Sequence, residues 1–402
     1  MIDETVGNRE ACPRVVTDVN PSADPSARRR RVVVIGAGQA GLSAAYFLAR
    51  AGLRPGVDLE VLDANPTAGG AWSHRWDALT FDHVNGLHDL PDSSLGDAAP
   101  DEPAREVVKR YYGRYEQAKG LDVQRPWRVR SVESIDDEAD EAQGARFRVV
   151  AEGSGGGRRE YLAGAVVSGT GTWDQPYVPW YRGRFDGRQL TTRDFTEPGD
   201  FVGRRVLVVG GGISAIQFVQ LLDEYGVGTL WSTRTPPRWR DCPFDTEAGL
   251  GVEQRVAART RAGLRPRSVV AETGLPTTPS VLDAIDRGVL VSRGPLRALT
   301  SDGVEFADGT HESVDVILWA TGFRASLSHL APLGVRERSG GVLMADDDVS
   351  VLKAPGLYLV GYGRSASTLG ATRAGRRAAR EAIRYTSDHP HANDKNSLSS
   401  LS

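Results

Sequence analysis

Two strand-turn-helix stretches hold residues whose types and spacing point to a definite chemistry. In the first, the β-branched run Arg31-Val32-Val33-Val34-Ile35 stops at Gly36-Ala37-Gly38-Gln39-Ala40-Gly41 and continues as a helix-period pattern to Ala49. Each glycine answers a separate need. Gly36 allows a tight turn, Gly38 removes the side chain that would hold a pyrophosphate off the backbone, and Gly41 lets helix and strand pack closely. The free N–H groups of the helix start then face the anion. A second strand, Leu59-Glu60-Val61-Leu62, ends in Asp63-Ala64, where a dinucleotide-binding unit holds ribose hydroxyls with a carboxylate.

The second stretch, Leu207-Val208-Val209-Gly210-Gly211-Gly212-Ile213-Ser214-Ala215, repeats the pattern, with Ala215 where the motif accepts Gly or Ala. Its next strand ends in Ser232-Thr233-Arg234, with arginine near the place of the acidic residue that would hold the ribose of NAD. A permanently charged, forked guanidinium suits a 2′-phosphate, so Arg234 favours NADPH over NADH, with Arg238 and Arg240 able to assist. Two such units imply two dinucleotides, or a duplicated fold that binds one.

Other constellations are weaker. The segment 74–98 is rich in His74, Asp77, Asp82, His83, Asn85, His88 and Asp89, but it has no zinc-type spacing and no second cluster, so no metal is expected. Cys12 and Cys242 lie far apart, which excludes a disulfide framework and a C-x-x-C dithiol. With 49 basic and 52 acidic residues, a net charge of -3 and a pI near 6.2, the chain has no general pull toward nucleic acid or anionic membrane. The partner is then a small molecule. Arg28-Arg29-Arg30-Arg31 ahead of an apolar run could pass for a twin-arginine signal, but the glycine fingerprint favours a nucleotide fold, and a cytoplasmic location is expected.

The elements that must position these residues can be read around them. The 402-residue length suits two substantial domains. Residues 1–28 read as a disordered arm and 387–402 as a flexible tail. A surface helix is expected over 104–118 and alternating strands over 129–135, 146–151 and 160–167, the last pair joined by a glycine-rich hairpin. Gln175-Pro176-Tyr177-Val178-Pro179 reads as a stiff linker. A helix is expected over 252–262, strands over 289–292, 314–323 and 356–361, and a last helix over 368–383.

The run from Gly36 through Asp63 to Gly69-Gly70-Ala71-Trp72 resembles the class B flavin-dependent monooxygenases, which include flavin-containing, N-hydroxylating and Baeyer-Villiger enzymes. The resemblance extends through Ser168-Gly169-Thr170-Gly171-Thr172, similar to a first A-T-G crossing, and Ala320-Thr321-Gly322-Phe323, similar to a second. Between them, Phe185, Gly187 and Phe195 match the family's F-x-G-x-x-x-H-x-x-x-(F/Y/W) signature, with Thr191 in place of histidine. Threonine keeps a hydrogen-bonding group but does not titrate near neutrality.

The resemblance implies an α/β fold of two Rossmann-like dinucleotide-binding domains, the glutathione reductase-like flavoprotein fold. An FAD domain (29–178 and 312–386) would carry an inserted NADPH domain (179–311). Gly36, Gly38, Gln39, Ala40, Gly41, Asp63, Ala64, Gly70, Trp72, Gly171, Thr172, Gly361 and Thr368 are the expected FAD-side residues. Gly210, Gly212, Ile213, Ser214, Ala215, Ser232, Arg234, Ala320, Thr321 and Gly322 are those of the NADPH side and the second crossing. His83, Asn85 and Thr191 are the expected catalytic polar groups. The implied activity is an oxidoreductase that inserts one oxygen atom from O2 into a small molecule through a C4a-(hydro)peroxyflavin. The missing histidine and the lack of a large extra domain favour N- or S-oxygenation over Baeyer-Villiger chemistry. The rivals are a flavin-dependent NAD(P)H reductase or oxidase and an FAD/NADPH-binding sensor. Assembly as a homodimer stays open.

Overall fold

The computed structural model describes residues 27–84, 87–135, 138–240, 246–267 and 274–389. Strand β1 (Arg28–Ile35) lies at the centre of a sheet of seven, because its apolar end Val32-Val33-Val34-Ile35 is buried on both faces, as parallel strands between layers require. On one side it pairs in parallel with β2 (Leu59–Leu62), which pairs with β3 (Val123–Gln124). On the other side it pairs in parallel with β6 (Arg158–Ser168). The start of β6 meets β5 (Phe147–Gly153), and through it β4 (Trp127–Ser134), as an antiparallel meander, while its end pairs in parallel with β17 (Leu357–Leu359).

One face of this sheet is covered by the first fingerprint helix, Gln39–Arg50, and the C-terminal helix, Thr368–Asp388. The two helices approach closely because their contact is built from small residues. A Cβ at Gly375 would lie 2.7 Å from Ala44 N, and Ala371, Ala374, Ala378 and Ala382 are buried beside it. Arginines on the outer side of this helix find local acceptors: Arg377 donates to Asp347 O at 2.6 Å, and Arg384 pairs with Glu381 at 2.6 Å. The arginines of this face thus find a backbone carbonyl and a carboxylate within reach of their own helix and the adjoining loop.

The second sheet runs β10 (Gly228–Ser232), β9 (Arg205–Val209), β16 (Val316–Trp319), β8 (Arg188–Thr191), all parallel. The second fingerprint helix, Ile213–Glu224, follows β9. A smaller sheet of β7 (Arg182–Gly183), β13 (Leu296–Leu299), β14 (Gly303–Phe306) and β15 (His311–Ser313) lies beside it, and β11 (Trp239–Arg240) pairs with β12 (Leu275–Pro276). Residues 182–319 therefore form a second unit inserted between β6 and β17 of the first.

Strand β16 was expected in the returning part of the first domain, which was set to begin at 312. It is bonded between β9 and β8, so the return comes after Trp319. The expected strand over 289–292 reduces to a single bridge between Trp231 and Ser292. The two chain crossings pair with each other. Tyr177 N donates to Gly322 O at 2.9 Å and Arg324 N to Gln175 O at 2.7 Å. The expected arm and tail fall outside the described residues except at their inner ends, where Arg28 already belongs to β1 and the last helix runs to Asp388.

Candidate active site

The ends of β1, β2, β4 and β6 open onto a cavity of about 790 Å³. Its floor is the first glycine turn, in which Gly36 and Gly41 meet the turn and packing constraints their spacing predicted. Gly36 has φ +95°, and a Cβ there would lie 2.7 Å from Gly169 O. A Cβ on Gly41 would lie 1.8 Å from Gly36 O, so helix and turn touch at a point where only glycine fits. A Cβ on Gly38 would meet nothing within 4 Å and would project into open space, where a cradled phosphate would go. Gly70, with φ +55°, backs this turn, since a Cβ on it would press on Gly38 Cα at 2.9 Å.

Asp63 is 3% exposed at the end of β2. Its Oδ2 accepts from Ala37 N at 2.6 Å and its Oδ1 from Asn65 N at 2.7 Å, so the carboxylate ties the glycine turn to the next loop. Each oxygen keeps a further lone pair for a ligand hydroxyl. Beside Asp63, the Arg125 guanidinium is held bidentately by Glu116 at 2.7 Å. Of the expected residues, Gly36, Gly38, Gln39, Ala40, Asp63 and Ala64 line the cavity from the first unit's turn and strand ends. Gly70, Trp72, Gly171, Thr172 and Gly361 line it from the loops above. Gln39 lines it while its side chain serves packing: Nε2 donates to Thr372 Oγ1 at 3.1 Å and Oε1 accepts from Tyr112 at 2.6 Å. Thr368 opens the C-terminal helix after Ser367, whose hydroxyl accepts from Gly370 N at 3.0 Å; Ser367 and Ala371 border the cavity.

The second turn has the same construction. A Cβ on Gly210 would lie 2.1 Å from Ala320 O, Gly212 faces open space, and Ala215 is buried against the sheet. Ile213 and Ser214 begin its helix. Ser232 is buried and its hydroxyl donates to Gly294 O at 2.8 Å, so its side chain braces the strand end instead of reaching outward. Arg234 is exposed just beyond, and no hydrogen bond or ion pair holds it among the described residues. The Thr321 hydroxyl donates to Tyr177 O at the crossing, beside Gly322.

The two units meet through the loop after Trp72. Trp76 is buried with its ring 5.6 Å from Phe195 and 4.7 Å from Phe218, so an aromatic of the first unit seats in the core of the second. Phe195 also stacks on Phe201 at 5.4 Å, and Phe185 fills the space that a Cβ on Gly187 would enter, 2.3 Å away. The signature's apolar positions are thus packing residues. At its variant position, Thr191 closes β8, and both its N and Oγ1 donate to Asp194 Oδ2, at 2.9 and 2.7 Å. His83 is exposed, its Nδ1 2.7 Å from Thr80 Oγ1, and its backbone oxygen accepts from Gln217 of the second fingerprint helix at 3.3 Å. It does not line the cavity. Asn85 lies outside the described residues.

Comparison with known proteins settles the lineage. The model of the pyridine nucleotide-disulphide oxidoreductase family matches residues 30–375. A flavin-containing monooxygenase from Stenotrophomonas maltophilia is 35% identical, with 89% of this chain and 99% of that one covered and a TM-score of 0.73. An indole-3-pyruvate monooxygenase of Oryza sativa subsp. japonica is 26% identical over 368 residues, 82% of this chain and 86% of the relative. Flavin-containing monooxygenase 5 of Homo sapiens is 24% identical over 337 residues, 73% of this chain and 62% of the relative.

The chain belongs to the flavin monooxygenase-like branch of the pyridine nucleotide-disulphide oxidoreductase family. It is a flavin-dependent monooxygenase in the broad sense, an oxidoreductase with FAD and NADPH as cofactors. The chain fits that pair: two glycine turns present free helix N-termini, one over a large cavity with a buried strand-end carboxylate, the other beside the exposed Arg234. Among the described residues, no helix is long and apolar enough to cross a membrane, and no group of histidine, cysteine and acidic side chains could hold a metal ion.

Several cavity residues were not among the expected site residues. His329, 5% exposed, places Nε2 at 3.0 Å from Ser168 Oγ, and burial, followed by the charge of Arg336, pushes its imidazole down to about 4. The trace of it was Ser168, which stands where the family motif has alanine. His74 lies over Trp173 with ring centroids 6.2 Å apart, and burial and then Arg193 hold its pKa below the usual value. Arg128 and Arg193 share Asp174 at 2.7 and 3.3 Å on the same wall.

Proposed function

We propose that the chain transfers one oxygen atom from O2 to nitrogen or sulfur of a small substrate, at the expense of NADPH. The first glycine turn, Asp63, Gly70 and Trp72 hold FAD in this reading, and Gly210 to Ala215 with Arg234 hold NADPH. Bound FAD supplies the redox chemistry and the activation of dioxygen, which no side chain can provide. The protein's own part is to bind, align and keep water out. Trp76 in the core of the second unit fixes the nicotinamide side against the first, and the paired crossings at Tyr177 and Gly322 set the spacing between them.

The observation that carries the choice of nitrogen or sulfur is Thr191. Its hydroxyl and amide are both committed to Asp194, so the position where Baeyer-Villiger relatives keep a histidine offers neither a charge nor a titrating group. A soft nucleophile needs no help from such a residue, whereas a ketone does. A dithiol reductase finds no C-x-x-C in the sequence. The test is a screen of amines, sulfides and ketones for substrate-dependent NADPH consumption, with products identified by mass spectrometry. N-oxides or sulfoxides are expected. Esters or lactones from ketones alone would assign the Baeyer-Villiger reaction, and hydrogen peroxide without any oxygenated product would assign an oxidase.

A further inference from the structure

The signature segment of the second unit meets the first unit through a charge. Strand β8 ends at Thr191, and the next three residues form a turn closed by its own hydrogen bonds: Thr191 N and Oγ1 both donate to Asp194 Oδ2, at 2.9 and 2.7 Å, and Asp194 N donates back to Thr191 O at 2.9 Å. The turn carries Arg193 to the wall of the cofactor cavity in the first unit, where its Nη1 lies 3.3 Å from Asp174 Oδ1. The other oxygen of that carboxylate accepts from Arg128 Nη1 of β4 at 2.7 Å, so the first unit holds Asp174 in place and leaves one oxygen for its neighbour.

Asp174 sits on a fixed platform. The residue before it, Trp173, stacks on Phe323 of the second crossing with ring centres 5.2 Å apart and on His74 with centres 6.2 Å apart. The residue after it, Gln175, accepts from Arg324 N at 2.7 Å. The units are thus joined at two paired crossings, and such a pair is an axis about which one unit can turn on the other. Arg193 and Asp174 lie on either side of the junction, one on each unit, so bridging them opposes that turn. Both side chains are partly open to water, which makes the bridge a weak one taken alone. A weak bridge is enough to set the balance between two orientations that differ little in free energy.

We propose that Arg193 and Asp174 form a clasp that holds the second unit over the cofactor cavity, so that the signature segment of this chain positions flavin reduction through Arg193 and not through its variant Thr191. Thr191 keeps a smaller task, closing the turn that presents Arg193. The step served is the passage of one hydride, with its two electrons, from NADPH to FAD, which leaves NADP⁺ and the anion of reduced flavin. Arg193 is a positioning residue, acting through where the second unit sits. This rests on the assignment of NADPH as the reductant of bound FAD.

The test is anaerobic stopped-flow reduction of the FAD-loaded protein by NADPH, in the wild type, Arg193→Gln, Asp174→Asn and the double variant. At saturating NADPH each single variant reduces its flavin about three- to fivefold more slowly, the double variant is no slower than either, and the half-saturating NADPH concentration is unchanged. Arg193→Lys, which keeps the charge, restores most of the rate, and sodium chloride at about 0.5 M slows the wild type to the rate of the variants. Hydrogen exchange read by mass spectrometry follows the junction without coenzyme: peptides holding the Tyr177 and Arg324 amides exchange about three- to fivefold faster in either single variant. Equal reduction rates with equal exchange, or single losses that add in the double variant, overturn the clasp. So does a loss confined to NADPH affinity or to FAD loading, which would make Arg193 a cofactor ligand. A wild type that NADPH does not reduce removes the coenzyme assignment instead, and the exchange measurement then decides the clasp alone.

Discussion

His329 gives the structure a pH dependence that can be worked out in advance. It is buried and neutral beside Ser168, with its pKa pushed down to about 4 from 6.5 by burial and then by Arg336. As pH falls from neutrality, the unfolded chain takes up the proton first, near 6.5, while the folded protein resists until about 4. The stabilisation is therefore complete above 6.5, declines through the window between the two values and is spent below the lower one. At about 1.4 kcal/mol per unit the whole window is worth about 3 kcal/mol, of which about 2 kcal/mol is lost by pH 5. His329→Gln keeps an amide that can bond Ser168 and removes the titration. Urea unfolding followed by tryptophan fluorescence at pH 7 and pH 5 should show the wild type losing about 2 kcal/mol more than the variant, since the remaining titrating groups are common to both. Parallel losses would mean that His329 is solvated or already charged, and would refute the description of this wall.

Three further outcomes follow from the glycine turns and the cofactor sites. Gly38→Ala, whose Cβ meets open space, should purify with little FAD yet keep the Tm of the flavin-free wild type, whereas Gly41→Ala, whose Cβ would lie 1.8 Å from Gly36 O, should fail to fold; flavin absorbance and calorimetry separate the two. Asp63→Asn exchanges an acceptor of the Ala37 and Asn65 amides for a group that is half donor, and should weaken FAD by about 1 to 3 kcal/mol in a reconstitution titration. Arg234→Ala should cost NADPH about 1.5 to 3 kcal/mol of binding and NADH far less, read as KM and as the rate of anaerobic flavin reduction. Equal losses for both coenzymes would remove the 2′-phosphate assignment.

What was legible in the sequence was local. Gly36, Gly38 and Gly41 announce themselves because a turn, a phosphate approach and a helix contact each call for glycine, and the structure shows the tight turn at Gly36 and the close contact at Gly41. Asp63 was readable from its place at a strand end. What was not legible depends on partners far along the chain. Ser168 and His329 meet across 161 positions, and the Arg75 cage gathers Trp72, Trp76 and Trp173 from two separated loops. Strand β16 looked like a return to the first domain because a buried apolar run does not say which sheet it joins; its hydrogen bonds to β8 and β9 do. Ser232 was expected to reach a cofactor, but a hydroxyl at a buried strand end finds the nearest carbonyl, Gly294 O.

The central claim is that electrons from NADPH end in an oxygen atom delivered to the substrate. Turnover of a sulfide under isotopically labelled dioxygen, with the product weighed by mass spectrometry, tests it most directly. The account predicts a sulfoxide carrying one labelled oxygen for each NADPH consumed. Consumption of NADPH with all of the label recovered in hydrogen peroxide and water, across sulfides and amines alike, would contradict it.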